Sequence, residues 1–343
     1  MSERSVLLAL NLDGAGNDPK HTAYQALRAE SAGFNAVSFS SDGLLDAVQR
    51  ASYVAAQTRR IGLLPVIDVL FTEPFHTATQ LASLDIISRG RAGWILETHN
   101  DSVQAQAVGR TVLADDELSI EAAEVVTTHR RLWDSWEDDA VVRDVATGRY
   151  LDANKLHYVD VEGRNFSVKG PAITPRPPQG QLPIIAPSHL FSESGLQHCR
   201  LNGADVIAIN TASLQTLLAQ ATASSTSGAV AIELDIYLDT AGQTGAQRAA
   251  DIGIQSSERA VFAGSTKALI NFLAEFAEAT ANPADQRRHL VHLYPGDLEI
   301  DGAVLIDEVL PQLKYGNLLA PNSTTLRENF ALPVAQNRFQ EAS

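Results

Sequence analysis

The chain has 343 residues, 45% hydrophobic and 20% charged, with a formal net charge of −15. That excess of carboxylates excludes broad contact with nucleic acid or an anionic membrane surface, because either needs a basic stripe that the sequence lacks. No apolar run approaches the ~18 residues of a membrane span, and residues 6–10 are too short for the core of a signal peptide, so a cytoplasmic protein acting on a small molecule is expected.

Eight short segments rich in Val, Ile, Leu or Phe read as buried strands: residues 5–10, 36–39, 61–66, 92–96, 183–186, 205–209, 229–236 and 289–293. Most are continuous apolar runs without polar alternation, the pattern of parallel strands covered on both faces. Helical spacing lies between most of them. Tyr24, Leu27 and Ala32 precede Gly33, a left-handed stop. Residues 47–58 and 75–87 repeat the apolar spacing, and Ser265 is placed to cap a helix over 266–279, whose Leu269, Ile270, Leu273 and Phe276 share one face. Eight βα steps in an α/β chain predict a single domain, residues 1–343, folded as a (β/α)₈ barrel.

Between residues 134 and 182 the periodicity gives way to turn signals, among them Thr147-Gly148, Glu162-Gly163 and Lys169-Gly170-Pro171. A loop longer than ~12–15 residues inside a compact domain is functional or disordered. An ordered flap with a hairpin, inserted before the fifth strand, is expected, with Tyr150, Tyr158, Phe166 and Val168 available for packing. Residues 211–227, rich in Ala, Ser and Thr, predict a weak helix and loop.

A (β/α)₈ barrel carries its chemistry at the carboxyl ends of the strands. The polar residues there are Asn11 and Asp13; Ser40, Ser41 and Asp42; Asp68; Glu97, Thr98, His99 and Asn100; Ser188, His189 and Ser192; Asn210; Asp235; and Tyr294. Any one of them has an ordinary alternative as a loop cap or turn residue. Gly14-Ala15-Gly16 is followed by Pro19 where a dinucleotide fingerprint needs its third glycine, and neither a phosphate loop nor a nucleophile elbow is present. His289 and His292, three apart on a strand, point to opposite faces, and the single Cys199 has no partner at metal-ligand spacing. No metal is expected, and Cys199 reads as a small buried side chain. Two helix starts could take a phosphate through free backbone N–H groups: Gly264-Ser265-Thr266, and Ser192-Glu193-Ser194-Gly195 with its two hydroxyls.

Three stretches carry a family resemblance. The first is Glu73-Pro74-Phe75-His76, then Ala82-Ser83-Leu84-Asp85 and Ser88-Arg89-Gly90-Arg91-Ala92-Gly93-Trp94. The second is Leu132-Trp133-Asp134-Ser135-Trp136 with Thr147-Gly148-Arg149-Tyr150, His157, Phe166-Ser167-Val168-Lys169-Gly170-Pro171 and Pro177-Pro178-Gln179-Gly180. The third is Thr325-Leu326-Arg327-Glu328-Asn329-Phe330. Together they resemble the nitrilotriacetate and dibenzothiophene-sulfone monooxygenase branch of the luciferase-like flavin monooxygenases. The resemblance implies a TIM-like barrel that uses reduced FMN, supplied by a separate NAD(P)H-dependent flavin reductase, to insert one oxygen atom of O₂ into a small organic substrate. It implies a dimer as well.

Carried over residue by residue, the resemblance gives Asp42 after the second strand, Thr98 as the threonine of the family's NVVTS segment, and Ser192 as a serine of its GSS phosphate loop. Asp68 and Ser194 complete the candidate cofactor site. The sequence also departs from the pattern. The family's STTY reads Asp68-Val69-Leu70-Phe71, the asparagine after GRAGW is Ile95, and a His and Tyr pair becomes Asp115 and Ser119. A second class of function therefore stands beside the enzyme: a non-catalytic barrel serving as the partner of another luciferase-like chain. A deazaflavin-dependent enzyme is a third reading, and no residue is assigned as general acid or base, although His99 and His189 are placed to act as one.

Overall fold

The computed structural model describes residues 5–190, 204–225, 228–253, 258–282 and 286–340; Ser192, Ser194 and Cys199 lie outside them. Strands β1 (Leu7–Asn11), β2 (Ala36–Phe39), β3 (Gly62–Asp68) and β4 (Trp94–Glu97) alternate with helices α1 (Pro19–Ala32), α2 (Ala47–Gln57) and α3 (Pro74–Ser88), and α4 (Ser102–Ala107) and α5 (Asp115–Asp134) follow β4. Two hairpins come next, β5 (Val141–Asp144) with β6 (Arg149–Leu151) and β7 (Val161–Glu162) with β8 (Ser167–Val168). The second half holds β9 (Ile184–Pro187), β10 (Val206–Ile209), α6 (Leu214–Ser225), β11 (Ala229–Leu238), α7 (Gly245–Ile252), β12 (Ala260–Gly264), α8 (Thr266–Ala279) and β13 (Leu290–Pro295).

Eight of these strands close a parallel barrel in the order β1-β2-β3-β4-β9-β10-β11-β13, with β13 returning to β1. All eight predicted strands are present. One further strand was not foreseen: β11 is ten residues long, and β12 pairs with its second half (Leu234↔Ala260 to Leu238↔Gly264) beyond the point where β10 ends.

Alternation along each strand divides the side chains. Leu8, Val37, Leu63 and Trp94 face outward into the layer beneath the helices, while Leu7, Ala9, Ala36, Leu64, Val66, Ile95, Ile185, Ala208, Ala231 and Leu290 fill the barrel. Local rules set the helix ends. Asp18, Asp46 and Glu73 cap their helices through side-chain oxygens, Gly33 takes φ 102° after α1, and Ser265 accepts from the N–H of Ala268. Among the described residues no helix is long and apolar enough to cross a membrane.

The resemblance stretches hold the closed end of the barrel. The Arg91 guanidinium is buried and donates to the carbonyls of Ser88, Ile61, Ala55 and Thr58. Asp85, fully buried, accepts from the backbone N–H and side-chain amide of Gln179, and burial pushes its carboxyl up to about 6. Leu326, in the helix Leu326–Asn329, plugs the amino-terminal end of the barrel with Phe330. A Cβ on Gly62 would lie 2.6 Å from one of its methyls, and a Cβ on Gly93 2.6 Å from the other.

Residues 134–182 form an ordered flap, with two hairpins where the sequence leads one to expect a single one. Trp136, Val159, Val161, Val168 and Ala172 pack with Ala78 and Leu132, and the Trp136 indole donates to the Ala172 carbonyl at 2.8 Å. Two of the expected packing residues, Tyr150 and Tyr158, instead point to solvent at 56% and 62% exposure. Each lies in or beside a thin two-stranded ribbon whose apolar residues pack toward Ala78 of α3 and Leu132 of α5, so its other face has nothing to meet.

The plug contact can be tested by adding a methyl to it. Gly93→Ala should lower stability by ~1–3 kcal/mol in urea unfolding, since overpacking forces neighbours apart. Combined with Leu326→Ala, it should cost less than the sum of the two single changes, because the shortened side chain makes room for the methyl. Strict additivity would show that the two residues do not compete for space.

His129 is fully buried beside Trp94 and Trp133, its Nδ1 directed at the Val125 carbonyl and its Nε2 at the Thr77 hydroxyl; burial drives its pKa down to about 4. The unfolded chain therefore takes up a proton between pH 6.5 and 4 that the folded chain refuses, and stability is lost as pH falls through that window. Relative to wild type, His129→Gln should lose ~3 kcal/mol less of its unfolding free energy between pH 7 and pH 4. Parallel pH profiles for the two proteins would rule this out.

Candidate active site

At the carboxyl end of the barrel the inward alternation turns polar. Asn11, Ser38, Asp68, Glu97, Glu233 and His292 continue the inward-facing rows of β1, β2, β3, β4, β11 and β13, and they sit beside one another in register: Asn11↔Ser38, Asp68↔Glu97 and Glu233↔His292. Three groups result, the first two joined at Ser38.

In the first, the Asn11 amide donates to Asp13 at 2.9 Å and to Ser38 Oγ at 3.1 Å. Asp13 also accepts from the Ser40 backbone N–H and from Arg50. Asp42 belongs to this group through Arg50, 3.8 Å away, but its Oδ1 caps the N–H groups of Leu44 and Leu45, which hold the carboxyl below its ordinary range. It shapes the loop between β2 and α2.

The second group is buried. Ser38 Oγ lies 2.6 Å from His292 Nε2, His292 Nδ1 lies 3.4 Å from Glu233 Oε1, and the Tyr294 hydroxyl donates to the same Glu233 oxygen at 3.2 Å. Burial opposes the charge on Glu233, yet His292, Arg259 and the Asn210 amide outweigh it and keep the carboxyl below its ordinary range. Tyr294, stacked under the Arg259 guanidinium at 4.0 Å, is driven far up by burial and by Glu233 and stays protonated. Arg259 is itself bound to Asp235 at 2.8 Å.

The third group joins neighbouring strand ends. Asp68 Oδ1 accepts from the N–H groups of Leu70 and His99, and His99 Nδ1 lies 3.5 Å from Asp68 Oδ2 and 3.7 Å from Glu97 Oε2. These last two are ion pairs too long to be well-formed hydrogen bonds, and Asp68 Oδ2 is buried with no hydrogen-bond partner. Burial raises the Glu97 carboxyl; His99 opposes this, while Glu233, Asp68 and Asp13 add to it.

The candidate residues thus separate. Asn11, Asp13, Asp68, Glu97, His99, Asn210, Asp235 and Tyr294 belong to these connected groups. Thr98 follows Glu97, half-buried. Asn100 instead clamps both backbone groups of Leu113, Ser41 accepts from the Ala47 N–H, and Ser265 is occupied as a cap. Ser38, Glu233 and His292 were not among the barrel-mouth candidates: apart from Asp235 these were taken beyond the predicted strand ends, and His292 was weighed only as a metal ligand. Continuing the inward alternation from Ala36, Ala231 and Leu290 would have reached them.

For a flavin, the polar edge of the ring fits: Asp68 Oδ2 and Asn210 Oδ1 are buried acceptors without hydrogen-bond partners. The phosphate is less well served among the described residues. Arg50 and Arg259 are already paired with carboxylates, and Asp115 lies in the first turn of α5.

Comparison with known proteins places this mouth in context. The sequence pattern of the luciferase-like monooxygenases matches residues 6–189, more than half of the chain. N-acetyl-S-(2-succino)cysteine monooxygenase of Bacillus subtilis (strain 168) is 42% identical over 135 residues, 39% of this chain and 31% of that protein. Nitrilotriacetate monooxygenase component A of Aminobacter aminovorans is 37% identical over 143 residues, covering 41% and 32%. The chain thus matches about a third of the length of these two curated relatives. One of the subunits of pristinamycin IIA synthase of Streptomyces pristinaespiralis is 35% identical over 172 residues, 48% of this chain and 56% of that protein. Among solved structures, EDTA monooxygenase from Chelativorans sp. BNC1 superposes with a TM-score of 0.77 at 18% identity, covering 96% of this chain and 98% of that one. Riboflavin lyase gives 0.77 at 20% identity, with 95% of each chain covered. With its closed parallel barrel and the family pattern across its first half, the chain belongs to the luciferase-like monooxygenases.

Proposed function

We propose that this chain is the oxygenase of a two-component flavin-dependent monooxygenase, a single cytoplasmic barrel domain that oxidises a small organic substrate with reduced FMN and O₂. The observation that carries the reading is the family pattern on a barrel whose mouth is lined by a polar layer instead of continuing the apolar core. A separate NAD(P)H-dependent reductase would supply the reduced flavin. When bound, that flavin provides the electrons that activate O₂.

The chain's own part is to bind and orient. Asp68 Oδ2 and Asn210 Oδ1 would accept from the ring edge, and Thr98, which follows β4, is assigned to the flavin from the family resemblance. Ser192 and Ser194, outside the described residues, are assigned to the phosphate together with the backbone N–H groups of their segment. Asp42 remains in the site only as the partner of Arg50. Tyr53, Ile86 and Ile87, exposed on the packed pair α2 and α3, offer an apolar face for the expected dimer, either with a second copy or with another luciferase-like chain.

A second reading has its own support. One relative is a subunit of a synthase, and Asp68, Ile95, Asp115 and Ser119 replace the family's residues at the mouth and at the start of α5. In that reading the chain is a non-catalytic barrel that completes a catalytic partner.

Anaerobic titration with oxidised and then reduced FMN, followed by fluorescence and calorimetry, separates the two. The enzyme reading expects reduced FMN to bind with a Kd of about 1 μM or tighter, and Thr98→Ala or Ser192→Ala to weaken it roughly tenfold, as the loss of one hydrogen bond does. A folded chain that binds FMN in neither redox state would overturn it in favour of the partner subunit.

A further inference from the structure

Three positions that depart from the family's pattern meet in space. Where that pattern reads NVVTS after GRAGW, this chain reads Ile95-Leu96-Glu97-Thr98-His99, so Glu97 replaces a valine and His99 a serine; after the third strand, Asp68 replaces the first hydroxyl of STTY. The barrel register sets Asp68 directly opposite Glu97, and the next inward position along the chain brings His99 Nδ1 to 3.5 Å from Asp68 and 3.7 Å from Glu97. Two carboxylates and an imidazole have thus entered together where the pattern has two hydroxyls and a methyl-bearing side chain.

We propose that Asp68, Glu97 and His99 form a proton-donating site at the barrel mouth, with His99 the group that delivers the proton. The two carboxylates attract the Nδ1 side of the ring by charge across 3.5 and 3.7 Å, and the hydrogen bond from the His99 backbone N–H to Asp68 Oδ1, at 3.2 Å, fixes the loop that carries it. Nε2 is left unbonded among the described residues, on a side chain 61% exposed. When such an imidazole carries a proton on each nitrogen, one faces the carboxylates and the other is available to a bound molecule.

The step it supports is a plain proton transfer. The Nε2–H bond breaks and an O–H or N–H bond forms on a substrate atom that is gaining negative charge. Histidine is left neutral with Nδ1–H still facing Asp68, and solvent returns the proton to the exposed ring. No electron changes hands. The surrounding carboxylates, Asp13, Glu233 and Glu258 besides the two in contact, disfavour a substrate that arrives as an anion. The molecule it suits is neutral when it binds and develops charge on oxygen or nitrogen as a bond breaks.

The Asp68 carboxylate, ahead of Glu97 and Glu258, raises the His99 pKa above its ordinary value, against the effect of partial burial. Arg110 lies over the ring of Phe71, in the loop after β3, and is paired with Glu121.

The test needs neither flavin nor substrate, so it is independent of the flavin-binding experiment. In the full-length chain, the His99 ring proton, assigned by its loss in His99→Asn, is titrated by NMR. The rate at which diethyl pyrocarbonate acylates His99, which requires the neutral ring, is measured at pH 7 by mass spectrometry. The expected result is a midpoint above the usual ~6.5, lowered by about one pH unit in Asp68→Asn and by less in Glu97→Gln. Acylation of His99 should be several-fold faster in Asp68→Asn than in wild type. A wild-type midpoint at or below the usual value, or one that neither substitution moves in a variant with native circular dichroism, overturns the proposal; so does a His99 that the reagent cannot reach at any pH. Failure of the chain to bind FMN would leave these results unchanged and would count only against the flavin reading.

Discussion

Everything at the open end of this barrel depends on how its other end is shut. Leu326 sends one methyl over Gly62 and the other over Gly93, so the amino-terminal ends of β3 and the segment leading into β4 can approach the plug only because neither glycine has a side chain. With Ala320 and Phe330 beside it, this contact makes the lower barrel a dry core. The Gln179 amide ties the same helix to the Asp85 carboxylate: it donates to Asp85 and to the Ala92 carbonyl, while its oxygen accepts from the Arg327 N–H. Closing that end leaves the carboxyl ends of the strands as the place where polar side chains can sit inside the barrel and still reach solvent.

This explains why the resemblance is strongest where chemistry is absent. Arg91 binds carbonyls, Trp133 donates to the Ala78 carbonyl, Trp136 to that of Ala172, and Asp134 holds Arg176 and Arg338. Each is a buried polar group that must be matched by one particular partner, and losing either member strands the other. Such pairs constrain a sequence tightly whatever the barrel does. At the mouth such matched groups are found as well, at Glu233 with His292 and Tyr294, but the family's STTY and NVVTS residues are replaced there at Asp68, Ile95, Glu97 and His99.

Much of the architecture was legible because a parallel strand covered on both faces leaves an unbroken apolar run, and most of the eight barrel strands carry one. β12 was missed for the opposite reason: Ala260–Gly264 is short, ends in glycine and pairs only with the distal half of β11, so locally it resembles the entry to α8. The length of β11 was the available clue, since ten residues exceed what its pairing with β10 uses. At the site, residues beyond the strand ends could be named from topology, but whether each caps a loop or joins a network could not. Asp42 and Asn100 satisfy backbone groups nearby in sequence, whereas Asp68 meets a histidine 31 positions away. Sequence spacing carries the first kind of partnership and is silent on the second.

The energetics of the mouth bear on which function the barrel serves. Glu233 is buried with His292 and Tyr294 against it, and Arg259 is locked between Tyr294 and Asp235. Buried charge of this kind is poor value as scaffolding, because desolvation consumes most of the Coulombic gain and apolar side chains of similar volume often do as well or better. A barrel that served only as a packing surface would be expected to extend the Ile, Val and Ala layers of its lower half upward, as Ile95 has done where the family's pattern has asparagine. Instead, charged groups stand at the ends of β1, β3, β4, β11 and β13, with Asp68, Glu97 and His99 on β3 and β4 where the family's pattern is neutral. Keeping such a layer against its cost is understandable if the groups act on something that enters the mouth, and this weighs toward the enzyme over the silent partner.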